Sequence, residues 1–398
     1  MDARTDHVAT LTEGEVATAV GIDAGIVACA CCGRTDHRAL AHDWSTGAEQ
    51  AASAPADLPS YDWDTAAEQI GRDDRVFGGG GGGFGFTFGD ALGRGATIKY
   101  GYLAETDVSG DDTRALSAAE IAAVELVIAR IEAVADIDFV RVAGADGYLS
   151  DPADAQIDID AFREGNGGLA RTAYSGSRLI ESSVSIGERG LENEGSYAFR
   201  TAFHEIGHAI GLSHPSDYNG GAARSYAQDA EFYEDSAQFT VMSYWDESAT
   251  GADYGAAHAN HLMLYDIAAL QRLYGANETA RSGDDVYGVG ATDAAWDTSG
   301  GAVIGAIWDT GGHDRLDGSG YAGGQELDIR EEAFSSLGGL THNIAIARGV
   351  LIEDATGGAG DDVVLGNALA NTLIGGDGAD MIEGGEGADV IYGDGGAG

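Results

Sequence analysis

The sequence predicts an α+β domain, built on a mixed twisted sheet with long helices, followed by an all-β parallel roll of short stacked strands. Three observations carry this. Helical spacing of apolar residues recurs up to Gly275 and then vanishes. From Gly357 a nine-residue repeat begins, running Gly357 to Leu365, Gly366 to Ile374, Gly375 to Glu383 and Gly384 to Tyr392. Such a period marks a solenoid-like β stack. Glycine occurs 63 times and proline 4 times in 398 residues, against roughly 7% glycine in ordinary proteins, so the chain turns tightly and often. The expected units are a leader or propeptide-like segment over 1–60, the α+β domain over 61–278 and the roll over 279–398. The repeats stop at Gly398 without a capping segment, as in a truncated roll.

Composition narrows the partners. With 66 acidic against 21 basic residues, net charge -45, the surface repels nucleic acid and anionic membranes. Divalent cations suit so many hard oxygen ligands; a solvated acidic surface accounts for the charge equally well. The 3 cysteines are Cys29, Cys31 and Cys32, so no disulfide framework staples the main body. No apolar run is long enough for a membrane span. The N-terminus lacks a basic region followed by a long apolar stretch, and Glu13, Glu15 and Asp23 argue against a lipoprotein site ending at Cys29.

Taken in order, residues 1–60 are rich in Ala, Asp and Thr with weak periodicity, as in a loosely ordered arm. A short helix is expected from Trp63 to Ile70, and the glycine run from Gly78 to Gly83 reads as a flexible loop. Ala96 to Leu103 alternates like a strand. Ser117-Ala118-Ala119-Glu120 is a capping box, and Ile121, Val124, Ile128 and Ile131 give the helix it opens one apolar face. Phe139 to Val142 and Gln156 to Asp160 read as further strands, with helices over about 197–211 and 262–274.

The central helix carries His204-Glu205-Ile206-Gly207-His208, then Ala209-Ile210-Gly211-Leu212-Ser213-His214. At helical pitch His204 and His208 project from one face, while Phe199, Phe203, Ile206 and Ile210 cluster on roughly the opposite side. Gly211 permits a sharp turn that brings His214 back as a third ligand, and Pro215 prevents the helix from resuming. Three neutral imidazoles leave a zinc ion one open position for water, as catalysis requires. Glu205 lies close enough to act as general base on a zinc-bound water, the nucleophile for peptide hydrolysis.

These residues match the metzincin signature, and Thr240-Val241-Met242-Ser243-Tyr244-Trp245 is similar to that group's methionine turn, with Met242 as a floor under the histidines. Pro215, Tyr244 and the glycine-aspartate repeats narrow the resemblance to the serralysins, from about residue 61 onward. Leu270 to Ala276 and Ile307 to Asp314 look like serralysin segments almost residue for residue. The resemblance implies a metzincin catalytic domain followed by an RTX calcium β-roll, in a secreted endopeptidase of broad specificity. It implies that Tyr244 ligates zinc at rest and then stabilises the oxyanion of the tetrahedral intermediate. Protein or peptide substrates, a monomer and type I export follow from it too. An extended peptide is expected to add to an edge strand near Arg171 to Tyr174.

In each nine-residue repeat the glycines (Gly358 and Gly360, Gly376 and Gly378, Gly385 and Gly387) allow the turn and expose carbonyls, and the sixth position supplies the ligand side chain. Those positions are Asp362, Asn371, Asp380 and Asp389. Turns two apart would share an ion, so Asp362 pairs with Asp380, while Asn371 with Asp389 carries less charge. By resemblance, Arg281, Gly283, Asp285, Asp309, Gly311 and Asp314 form another calcium site, and Gly312, Asp314 and Glu353 a neighbouring one. His313, among these turns, reads as structural rather than as a zinc ligand.

Cys32-Gly33-Arg34-Thr35-Asp36 has a faint likeness to the latency motif of matrix metalloproteinases, in which a thiolate occupies the zinc; the cysteines read equally as incidental thiols. The competing reading of the whole chain is a catalytically inactive, calcium-dependent extracellular adhesion protein. Intact Glu205 and Tyr244 speak against it.

Overall fold

The structure is a computed structural model that describes residues 58–71, 87–108, 112–165, 167–175, 177–187, 190–218 and 225–393, together with the backbone of residues 24–29. The glycine run at 78–83 and Cys31 and Cys32 lie outside the described residues.

Seven strands form the first sheet: β1 (Ala24–Cys29), β2 (Ala96–Tyr102), β3 (Thr113–Arg114), β4 (Ile137–Arg141), β5 (Ile157–Phe162), β6 (Gly168–Ser175) and β7 (Arg178–Ile186). Their order is β1-β6-β7-β5-β2-β4, with β3 attached to β5. The β2–β4, β2–β5 and β5–β7 pairs are parallel, whereas β6 runs antiparallel to β7 and to β1. The sheet is therefore mixed, as expected. Its edge is not where the sequence placed it: β6, holding Arg171 to Tyr174, is covered by β1 from the segment read as a loose arm.

Among the described residues, four helices of eight residues or more accompany this sheet: α1 (Trp63–Ile70), α2 (Ala118–Glu132), α3 (Tyr197–Ala209) and α4 (Leu264–Tyr274). The capping box at α2 is complete, Ser117 accepting from the Glu120 amide and Glu120 accepting from the Ser117 amide. α3 rests on β6, β7 and α2, while α1 rests on α4. Burial along α3 spares only Tyr197 and Arg200, so nearly the whole helix is core. Two boundaries shift from expectation. α3 stops at Ala209, before the positive φ of Gly211 (107°). α4 starts at Leu264, because Met263 is extended and donates its amide to Asp266 in the first turn.

After α4 the strands are short: β8 (Val286–Gly288), β9 (Gly305–Ile307), β10 (Arg315–Asp317), β11 (Glu326–Asp328), β12 (Phe334–Ser335), β13 (Ile344–Ile346), β14 (Asp354–Thr356), β15 (Val363–Leu365), β16 (Thr372–Ile374), β17 (Met381–Glu383) and β18 (Val390–Tyr392). One parallel sheet runs β18-β16-β14-β10-β8 and another β11-β15-β17. Consecutive nine-residue repeats thus feed alternate sheets, and Asp354, Thr372 and Val390 stack in register eighteen residues apart. The apolar core is continuous from the helices into these sheets, through Tyr287, Trp296, Leu316, Ala355 and Leu373.

Candidate metal centres

α3 begins at Ser196, whose hydroxyl accepts from the Phe199 amide at 3.1 Å, and it presents His204 and His208 one turn apart. The turn at Gly211 returns His214 to the same point. The three Nε2 atoms form a near-equilateral triangle, 3.1 Å from His208 to His204, 3.1 Å from His208 to His214 and 3.2 Å from His214 to His204. A tetrahedral zinc with its nitrogens at 2.0–2.1 Å holds them about 3.3 Å apart, so the set fits that ion. Each Nδ1 lies against a backbone carbonyl: Val241 at 2.9 Å from His204, Leu212 at 2.7 Å from His208 and Tyr218 at 3.0 Å from His214. A carbonyl only accepts, so Nδ1 carries the proton and each Nε2 lone pair faces the centre. Burial holds the rings neutral, pushing His208 down to about 4 and the other two well below the usual histidine range.

Glu205 is fully buried, and its carboxylate lies against the first residue of β6. A Cβ on Gly168 would stand 2.3 Å from Glu205 Cγ, so any larger residue would displace the acid. Met242 is also fully buried, its sulfur 2.9 Å from where a Cβ on Gly207 would lie, which places it against α3 between the two helical histidines. The Tyr244 ring centre is 4.5 Å from that of His214 and 5.9 Å from that of His204.

Three residues that sequence reasoning missed fix this arrangement. Arg200 donates to the carbonyls of Val241 and Ser243. Asp266 accepts from Thr240 Oγ1 at 2.6 Å and from the Val241 and Met263 amides, both at 2.9 Å. Asp235 accepts from Ser216 at 2.5 Å, Tyr218 at 2.7 Å and Ser243 at 2.7 Å. Burial raises both carboxyls to about 6. Asp266 left a legible signal, an acid three residues into a helix; Asp235 left none.

The roll-side residues separate into two groups. Asp285, Asp309 and Asp314 bring one carboxylate oxygen each within 4.8 Å of one another. Asp314 Oδ1 accepts from the Asp285 amide at 2.7 Å, and Glu353 joins by accepting from the Asp314 amide at 2.8 Å. Burial first, then the neighbouring Asp309, Glu353 and Asp285, raises Asp314 to about 7. Its Oδ2 is buried with no hydrogen-bond partner among the described residues, which suits a hard cation. Gly311 and Gly312 both have positive φ, and Gly312 leaves 1.9 Å between a would-be Cβ and the Gly283 carbonyl. The Arg281 side chain reaches the Trp308 carbonyl and Asp293. His313 stands apart from the histidine triad, 3.2 Å from Asp354.

In the repeats the sixth positions meet eighteen residues apart. The Asp362 amide donates to Asp380 at 3.0 Å and the Asn371 amide to Asp389 at 3.0 Å. Gly376, Gly378, Gly385 and Gly387 have positive φ, whereas Gly358 and Gly360 are needed for room against Tyr321 and Gly323. Asp380 Oδ2 is buried and unpartnered among the described residues.

The family described as Peptidase M10 serralysin C terminal matches residues 276–395. Serralysin C of Dickeya chrysanthemi is 49% identical over 181 residues, 44% of this chain and 38% of that protein. Metalloprotease AprA of Pseudomonas entomophila (strain L48) is 39% identical over 260 residues, 60% of this chain and 51% of its own. Serralysin of Proteus mirabilis is 36% identical over 339 residues, 79% of this chain and 67% of its own. The chain thus spans between 38% and 67% of the length of these relatives. Identity at that level over two thirds of a serralysin, with the matching C-terminal region, means that the chain belongs to the serralysin family of M10 peptidases.

Proposed function

We propose that the chain is a secreted zinc-dependent endopeptidase of broad specificity, stabilised by calcium and monomeric. In this reading 61–278 is a metzincin catalytic domain, 279–398 a calcium-binding β-roll and 1–60 a leader or propeptide-like segment. The observation that carries it is the triangle of Nε2 atoms beside the buried Glu205 carboxylate. The relatives' names, serralysin and metalloprotease, support it. So does the lack of any helix, among the described residues, long and apolar enough to cross a membrane, since a secreted chain needs none.

His204, His208 and His214 would hold the zinc, with Tyr244 as an additional ligand at rest. The ion, when bound, supplies a Lewis acid and makes a water more acidic. Glu205, fixed by Gly168 and by burial, takes a proton from water at its carboxylate and delivers it to the leaving amine. The Tyr244 hydroxyl donates to the developing oxyanion. Asp285, Asp309, Asp314 and Glu353, and the Asp362–Asp380 and Asn371–Asp389 pairs, would hold calcium. Casein digestion tests the reading. Glu205→Ala is expected to cost about 10²–10⁴-fold in rate, with zinc retained by elemental analysis, and o-phenanthroline is expected to abolish activity. Digestion that survives both would sink the zinc mechanism.

A further inference from the structure

We infer that β1 is the resident occupant of the outer edge of β6, filling the place a substrate strand takes. The second half of this rests on the endopeptidase reading. β1 and β6 pair antiparallel along six positions, from Ala24 opposite Ser175 to Cys29 opposite Ala170. The other edge of β6 belongs to β7, so β6 becomes the terminal strand once β1 leaves. A terminal strand offers a row of unpaired N–H and C=O groups, the template for strand addition.

The position of β6 gives this edge its meaning. Its first residue, Gly168, lies against Glu205, and the strand packs on α3. Because the pairing is antiparallel, β1 runs towards the Gly168 end and so approaches the histidine triad with its own C-terminal end. The sequence Ala24-Gly25-Ile26-Val27-Ala28-Cys29 suits the task, being small or β-branched, uncharged and free of proline. A strand tethered to the same chain competes at high effective concentration. A peptide substrate must therefore displace β1, which raises KM and leaves kcat alone.

The test uses the full chain with Val27→Pro, which removes the amide of the residue opposite Thr172. Ile26→Pro is a second variant and Val27→Ile the conservative control. Among the described residues β1 pairs with no strand but β6, so the rest of the sheet stays intact. Hydrogen exchange of the β6 amides is measured on the metal-free chain, and KM and kcat for a long peptide on the zinc-loaded one. In both proline variants the β6 amides should exchange at least about tenfold faster and KM should fall about tenfold at constant kcat. A synthetic peptide spanning residues 22–31 should restore protection and raise KM again, and Val27→Ile should match the parent. Unchanged β6 protection and unchanged KM in both proline variants would overturn the proposal. Faster exchange in a chain that hydrolyses no peptide would remove the endopeptidase reading and uphold β1 as the occupant of this edge.

Discussion

Three hydroxyls converge on Asp235, which has no exposure to solvent. Two of them, from Ser216 and Tyr218, follow directly on His214; the third, from Ser243, lies between Met242 and Tyr244. One carboxyl therefore sets the spacing between the third histidine and the methionine turn. Asp235→Ala would strand three buried donors, a loss of about 1–3 kcal/mol each. It is expected to lower Tm and to cut kcat about tenfold or more, with zinc content by elemental analysis unchanged and Asp235→Asn recovering part of the rate. Gly207→Ala should cost about 1–3 kcal/mol by overpacking, since the new methyl meets Met242 sulfur at 2.9 Å; thermal denaturation measures it. The histidines were legible because metal ligation on a helix imposes a spacing. Asp235 was not, because Glu234-Asp235-Ser236 reads like any polar turn, and its partners come from segments up to 19 residues away.

On β5, Asp158 and Asp160 alternate onto one face, with Glu181 of β7 nearby. Burial, reinforced by those two acids, raises Asp158 to about 7. A carboxyl whose folded pKa is raised stabilises the fold fully below its unfolded value of 3.8, and that contribution is lost as pH rises through about 7. Tm should therefore fall between pH 5 and pH 8, and Asp158→Asn should flatten the fall, raising Tm at pH 8 by about 3 °C or more. In the repeats, the Asn371–Asp389 pair has one carboxylate fewer than Asp362–Asp380, so Asn371→Asp should tighten calcium binding about tenfold in titration calorimetry. Helices and repeats were legible at this scale because their periods are local. β1 was not, since nothing in Ala24 to Cys29 names a partner that begins 139 residues after Cys29.

At the scale of the molecule, the acidic surplus and the buried oxygens of Asp314 and Asp380, unpartnered among the described residues, make one prediction. Chelation by EGTA should lower Tm steeply, and calcium should restore it far better than an equal ionic strength of sodium. The order of the two parts was readable from where helical spacing ends; their closeness was not. α1 is closed by residues that come far later: Gln69 donates to the Pro215 carbonyl, Tyr265 to the Tyr61 carbonyl, and Arg348 of the roll pairs with Asp64 at 2.9 Å. These contacts span 146, 204 and 284 residues. A chain made from its N-terminus must hold α1 without its seat until residue 265 exists, and without its last ion pair until residue 348 does. A chain halted before residue 265 would therefore leave the buried face of α1, with Ala66, Ala67 and Ile70, bare to solvent.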